Sequence, residues 1–361
     1  MKRRTFNKLL GAGLVAGAAP AIIGRAHAAG PLGVGFIYVG PIGDLGWNYQ
    51  HDLSRKELEK HYGDKIKTTY VENVPEGPDA ERVLADLASK GNSLIFATSF
   101  GYMNPTIKVA QKFPKVHFEH ATGYKRAANV ATYNIRFYES RYVEGIISGM
   151  MSKTGKVGYI CSVPIPEVVM GLNAYIIGMR TINPKATIRM VWINSWYDPG
   201  KEGDAAKALF DQGCDIVAQH TDSTSPLQVA QQRGLLGFGE ASDMYNAAPK
   251  AQLTSPVNNW APYYIERTKA VMDGTWKSGD VWGGFKSGMM QMAPYKNMPD
   301  NVAAAAKAAQ DGIASGAIDI YTGPIKDQSG AIKVAAGSTL DDKAISGMNW
   351  LAEGVEGQIP K

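Results

Sequence analysis

The chain has little cysteine, no excess charge once its N-terminus is set aside, and none of the short motifs that mark common reaction centres. Cys161 and Cys214 are its two cysteines in 361 residues. Each lies near an apolar run, so two buried free thiols are expected; spacing alone leaves a disulfide open. There is no G-x-S-x-G elbow, no H-E-x-x-H pair and no P-loop, which removes the simplest signals of a serine hydrolase, a zinc protease or a nucleotide triphosphatase. The loop-like "GAGLVAG" resembles a dinucleotide turn but falls in the N-terminal segment. His117 and His120 in "VHFEHA" have no further clustered ligands, so ordinary packing is expected there, with no metal and no cofactor.

The N-terminus reads as an export signal. Arg3 and Arg4 precede a mildly apolar stretch rich in Gly and Ala, and "AHA" at 26–28 offers a small-residue cleavage site. The arginine pair is of twin-arginine type, and no Cys follows for lipid attachment. A periplasmic mature protein is expected. Residues 1–28 carry five basic residues and no acid, which leaves 33 basic residues against 33 acidic ones. A neutral chain gives no reason to expect nucleic acid or an anionic membrane as partner.

What is present is a steady alternation. "LGVGFIYVG" reads as a strand and 48–61 as a helix; "IKTTYVENV", "SLIFAT" and "VHFEHA" read as strands separated by helices at 79–90 and in "TIKVAQKF"; "NVATYNI" follows. The unit restarts with "GKVGYICSV", a helix at 166–182, "ATIRMVWI", a helix at 201–212, "CDIVAQH", a helix at 226–232 and "GLLGFG". Short apolar runs between amphipathic helices predict parallel sheets covered on both faces. The two halves look alike, since "GVGFIYVGPIG" and "GKVGYICSVPIP" each run from a strand into a Pro-Ile loop. The fold expected is α/β, with two Rossmann-like lobes and a hinge. The first lobe takes 29–136 plus about 254–285; the second takes 137–253 plus about 286–361. After Gly239 the pattern is less clean: "AQLTSPV", "WGGFKSG" and "GMMQMA" are expected as edge or crossover strands, and 301–314 and 341–351 as helical.

Ligands of open parallel sheets sit beyond the carboxyl ends of the strands. That rule selects Asp44, Trp47 and Asn48 after the first strand, Phe100 and Tyr102 after "LIFAT", "VPIPE", "NSWYDPG" with Trp196, "HTDST" with Asp222, and "GEASDM" with Glu240. Trp47 and Trp196 lie in loops of surface composition, one in each half. Two such rings on opposite walls of a cleft would sandwich a flat ligand, each face contributing about 1–3 kcal/mol. Trp192 lies inside a strand and reads as core, while Trp260 opens a helix within reach of the cleft.

Four stretches carry a resemblance: "GDLGWN", "MSKTGKVGYICSVPIPEV", "INSWYDPGKEGDAAKALFDQGCDIVAQHTD" and "GGFKSG". From about Leu32 to about Pro294 the chain resembles the basic membrane protein family, purine-nucleoside receptors of ABC importers with a type I periplasmic binding fold. The resemblance implies that Trp47 and Trp196 sandwich a base, that Asn48 contacts it, and that Lys286 belongs to the site. It also implies a membrane permease pair and an ATPase as partners; the chain itself is expected to be a monomer. One departure bears on the ligand. Where relatives that bind nucleosides read G-x-D-x-D, this chain has Gly239-Glu240-Ala241-Ser242-Asp243. Ala241 cannot accept a hydrogen bond through its side chain, and an unpaired buried hydroxyl costs about 1–3 kcal/mol. A free purine base, adenine first, is therefore expected to bind better than its nucleoside. Asp222 and Glu240 suit the donors of a base edge, so an enzyme such as a purine nucleoside hydrolase is not expected. A sugar or amino-acid receptor on the same fold is the alternative, because sugar sites also use Trp and carboxylates.

Overall fold

The computed structural model describes residues 30–360, so the export segment at 1–28 falls outside the described residues. The chain begins β1 (Leu32–Ile37), α1 (Trp47–Tyr62), β2 (Ile66–Val71), α2 (Pro78–Ser89), β3 (Asn92–Ala97), α3 (Met103–Lys112), β4 (His117–Ala121) and β5 (Val130–Ile135). It continues α4 (Phe137–Met151), β6 (Lys156–Cys161), α5 (Pro166–Ile182), β7 (Thr187–Trp192), α6 (Pro199–Asp211), β8 (Ile216–Gln219), α7 (Ser225–Gln232) and β9 (Leu236–Gly237). The last third is β10 (Pro256–Asn258), α8 (Ala261–Met272), β11 (Asp280–Gly283), β12 (Met290–Met292), α9 (Asp300–Ser315), β13 (Ile325–Lys326), β14 (Ile332–Val334), α10 (Asp342–Ser346) and β15 (Val355–Glu356).

Two parallel sheets result. The first has the order β11-β5-β4-β3-β1-β2, the second β15-β7-β6-β8-β9. The chain passes between them three times: before α4, through the antiparallel pair β10–β12 region into α8, and after β11. Strands buried on both faces explain the continuous apolar runs. All four residues of β8 are buried, as are five of six in β3.

The largest hydrophobic cluster runs through both halves, from Val34 and Phe96 to Tyr159 and Ile188. Two smaller clusters cover the outer faces, one under α2 and α3 and one under α6 and α7. At the junction, α4 packs closely on α5 at two glycines. A Cβ on Gly145 would lie 2.1 Å from the Tyr175 carbonyl oxygen, and one on Gly178 would lie 2.3 Å from that of Tyr142. Glycine is required at both positions for the helices to approach so closely.

Three local expectations change. The stretch 341–351 holds one short helix, α10, which stops at Gly347 rather than running to Leu351. "WGGFKSG" is a strand only through Gly283; a single 3-10 turn, Phe285–Ser287, follows and is closed by left-handed Gly288 at φ 73°. "AQLTSPV" enters regular pairing only at its end, where β10 joins β12. Cys161 and Cys214 are both buried and unpaired. His117 lies against Trp276, with ring centroids 4.3 Å apart. His120 Nε2 lies 2.8 Å from the Ser99 carbonyl oxygen. Among the described residues no group of three or more His, Cys, Asp or Glu is placed to hold a metal ion, and no helix is long and apolar enough to cross a membrane.

Candidate functional site

The β1–α1 loop is organised by one carboxylate. Asp44 accepts from the backbone N–H groups of Gly46 (2.8 Å), Asn48 (3.1 Å) and Tyr49 (3.0 Å), and from Asn48 Nδ2 (2.7 Å). The three backbone donors are orphan N–H groups at the start of α1, so Asp44 does the work of a cap. Asn48 is used up in the same loop, because its Oδ1 also accepts from the Gly40 N–H at 3.3 Å. The loop holds Trp47 at the first helical position, half-buried. Its Nε1 donates to the carbonyl oxygen of Thr98 at 2.6 Å, which fixes the indole against the end of β3. Trp260 is fully buried behind it, edge-on at 5.4 Å, and stacks on His51 at 4.7 Å and 9°. Trp260 therefore supports the wall from behind.

The second sheet supplies the opposite side. The N–H of Asp222, after β8, donates to the carbonyl oxygen of Trp196 at 3.0 Å and ties together the loops after β7 and β8. Asp222 Oδ1 accepts from the N–H of Trp47 at 3.2 Å, a bond from one sheet's loops to the other's. The hydroxyl of Ser242 donates to the Leu45 carbonyl oxygen across the same gap. The loops also approach at Gly46, where a Cβ would lie 2.5 Å from the Asp222 carbonyl oxygen and 2.8 Å from its Cβ.

Between these loops lies a small cavity of about 30 Å³. Trp47, Trp196, Asp222 and Glu240 all line it. The structure does not bring the other three expected residues there. Asn48 is spent on its own loop. Tyr102 is buried in the outer core of the first sheet, where its hydroxyl donates to the Val74 carbonyl oxygen at 2.6 Å. Lys286 sits exposed on the Phe285–Ser287 turn, outside the lining. Glu167, Phe137 and His220 join the site instead. Glu167 and His220 stand in the quoted strand-end loops, whereas Phe137 opens α4, which reads from sequence only as a crossing helix. Glu167 Oε2 accepts from Asn134 Nδ2 of β5 at 2.9 Å, so this carboxylate too is held from the opposite sheet. His220 lies edge-on to Phe137 at 5.8 Å, and its Nδ1 is buried with no partner among the described residues.

The lining holds three carboxylates, of Glu167, Asp222 and Glu240, and no lysine or arginine. A cation stands behind Glu240: Arg141 of α4, fully buried, donates through Nη2 to Glu240 Oε2 and through Nη1 to Glu144 Oε2 at 2.9 Å. Burial pushes the Asp222 carboxyl well above the usual range, and Asp44, Glu202 and Glu240 add to the shift. Burial raises Asp44 as well, opposed by the donors of its own loop. Such a site offers two aromatic faces and several acceptors, and favours a flat molecule bearing N–H groups. Neither remaining member of the G-x-D-x-D-like stretch faces the cavity. Ala241 is buried at φ 59°. Asp243 Oδ1 accepts from Gln252 Nε2 and from the Tyr245 N–H at 2.7 and 3.0 Å.

The model of the family described as ABC transporter substrate-binding protein PnrA-like matches residues 32–322. A purine-binding protein of Brucella abortus (strain 2308) is 56% identical, over 94% of this chain and 97% of that protein. A putative ABC transporter glucose-binding protein of Haloferax volcanii is 34% identical, over 90% of this chain and 80% of that protein. Among solved structures, an ABC transporter solute-binding protein of Aeropyrum pernix superposes with a TM-score of 0.70 at 18% identity, covering 87% of this chain and 95% of that one. One from Conexibacter woesei gives 0.64 at 21% identity, covering 80% and 97%. These structural likenesses concern the fold, an α/β arrangement of parallel sheets of the type I periplasmic binding kind. The chain belongs to the PnrA-like family of ABC transporter substrate-binding proteins.

Proposed function

We propose that this chain is a periplasmic receptor that binds a free purine base, adenine first, between two lobes and presents it to the permease and ATPase of an ABC importer. The observation that carries this reading is the placement of Trp47 and Trp196, on loops of different sheets, around one cavity lined by carboxylates. A purine offers two π-faces to the indoles and an edge of donors and acceptors to Asp222 and Glu240. The relative named as purine-binding supports the same class. A base is preferred over a nucleoside because positions 241 and 243 offer no side-chain acceptor to the cavity. Calorimetry with adenine, hypoxanthine, guanine and their nucleosides tests this, with adenine expected to bind tightest. Tighter binding of any nucleoside than of every free base would remove the base preference. The relative named for glucose supports a second reading, a sugar receptor. Saturable binding of glucose with no response to any purine would establish that one instead.

Export follows from the arginine pair. Replacing Arg3 and Arg4 together by Lys is expected to leave precursor in the cytoplasm. Undiminished periplasmic protein in a cell fraction would remove the twin-arginine assignment.

A further inference from the structure

Four carboxylates meet where the β1–α1 loop touches the second sheet, and three of them are well supplied with donors. Asp44 accepts from three backbone N–H groups and one side-chain amide. Glu202 of α6 accepts from the N–H of Asp198 (2.8 Å) and from the N–H and hydroxyl of Ser223 (3.0 and 2.6 Å). Glu240 pairs with the guanidinium of Arg141. Asp222 is the exception. It is 6% exposed, its carboxyl group accepts only the Trp47 N–H, and no cation stands within ion-pair distance of it among the described residues. The other charged or titratable groups around it are Tyr197 on the loop after β7, and Glu167 and His220 in the cavity wall.

A buried carboxylate with one N–H donor and three acidic neighbours is the poorest host for negative charge in the group. We propose that Asp222 closes on the ligand as a carboxylic acid, presenting one O–H donor and one acceptor, and that this pair reads a ligand edge with an acceptor beside a donor. The inference rests on the purine-receptor reading. Adenine has such an edge on both sides of its amine, because N1 and N7 each flank the N6 group. A carboxylate would match the amine but face the ring nitrogen with a second lone pair. Guanine, by contrast, has two adjacent donors at N1 and N2, which suit an ionised carboxylate. The upward displacement of the Asp222 carboxyl agrees with this assignment. When the cleft is open and Asp222 meets water, it ionises in the ordinary range. Closure on adenine therefore takes up a proton. The sign follows from linkage: where the bound-state value lies above the free-state value, affinity is greatest at low pH and falls as pH rises between the two.

Calorimetric titration of adenine into the mature protein, from about pH 5 to about pH 8, is the test. The ligand is neutral across that range. Adenine affinity is expected to fall by up to about tenfold per pH unit, with close to one proton taken up per ligand, read from the dependence of the heat on the ionisation enthalpy of the buffer. The adenine-to-guanine affinity ratio falls in step. Asp222→Asn carries a donor and an acceptor at every pH, so its adenine affinity becomes flat across the range and its proton uptake disappears. A flat profile in the parent protein, with adenine bound, overturns the proposal without touching the purine reading. Proton uptake that survives in Asp222→Asn overturns it too and moves the proton to another carboxyl. Absence of binding by any purine at any pH overturns the purine reading and this inference together.

Discussion

Removing both indoles is expected to weaken purine binding by about 2–6 kcal/mol if the two faces act independently, roughly two to four powers of ten. Trp47→Ala and Trp196→Ala should each account for about 1–3 kcal/mol of that. The single variants differ in one respect. Trp196 stands on a loop and has His220 as a ring neighbour at 6.4 Å, whereas Trp47 also touches His51, Trp260 and Phe137 and donates to Thr98. Trp47→Ala should therefore lower thermal stability as well as affinity, and Trp196→Ala should lower affinity alone. Trp47→Phe keeps a stacking face but loses the Thr98 bond, so it should recover most of the binding. Fluorescence or calorimetric titration with adenine reads the affinities and a melting scan reads the stabilities. A Trp196→Ala protein that melts like the parent and binds adenine as tightly would show that this ring has no part in recognition.

The largest stability effect is expected at Arg141. Its guanidinium, fully buried in the junction helix α4, lies between Glu144 and Glu240. Taking away one partner of a buried ionic group leaves uncompensated charge and costs about 3–5 kcal/mol. For a chain of this size that is a fall of roughly 4–7 °C in melting temperature. Burial already pushes the Glu144 carboxyl up to about 7, with Arg141 pulling it down. Because its folded-state value lies above the unfolded one, Glu144 subtracts stability as pH rises between the two. Without Arg141 that value climbs further, so Arg141→Ala should lose more at pH 8 than at pH 5, where the carboxyl is neutral in the fold. Melting scans at both pH values check the sign. Equal losses at the two values would mean that lost packing around the arginine stem, not charge, sets the cost. Glu240 lines the ligand cavity, so the variant should also bind adenine less well.

The alternation of strands and helices was legible because parallel sheets bury both faces and leave unbroken apolar runs. The helix read at 166–182 has the bounds of α5, and the first helix differs from α1 by one residue at each end. The elements that failed lie late in the chain, where short strands join edges and Gly347 or Gly288 cuts a segment that periodicity would extend. At the site, the strand-end rule found the right loops but not the inward-facing side chains. Asn48 and Tyr102 both follow strands of the first sheet, and both are consumed by bonds to their own surroundings. Nothing in a linear sequence distinguishes them from Glu167 and His220, which face inward. Phe137 was beyond the rule altogether, since it enters the cavity from the helix that joins the halves. Lys286 came from resemblance alone, and its turn points elsewhere.

The contact of Gly46 with Asp222 has a consequence for what such a clamp can measure. Any side chain at position 46 would collide with the Asp222 main chain and its Cβ, so the absence of one lets the two loops approach as closely as they do. In the proposed receptor a planar ring would let these loops reach their stop, whereas a puckered, saturated ring would hold them apart. On that reading the absent Cβ of Gly46 would itself act as a thickness gauge against non-planar solutes, ahead of any hydrogen bond.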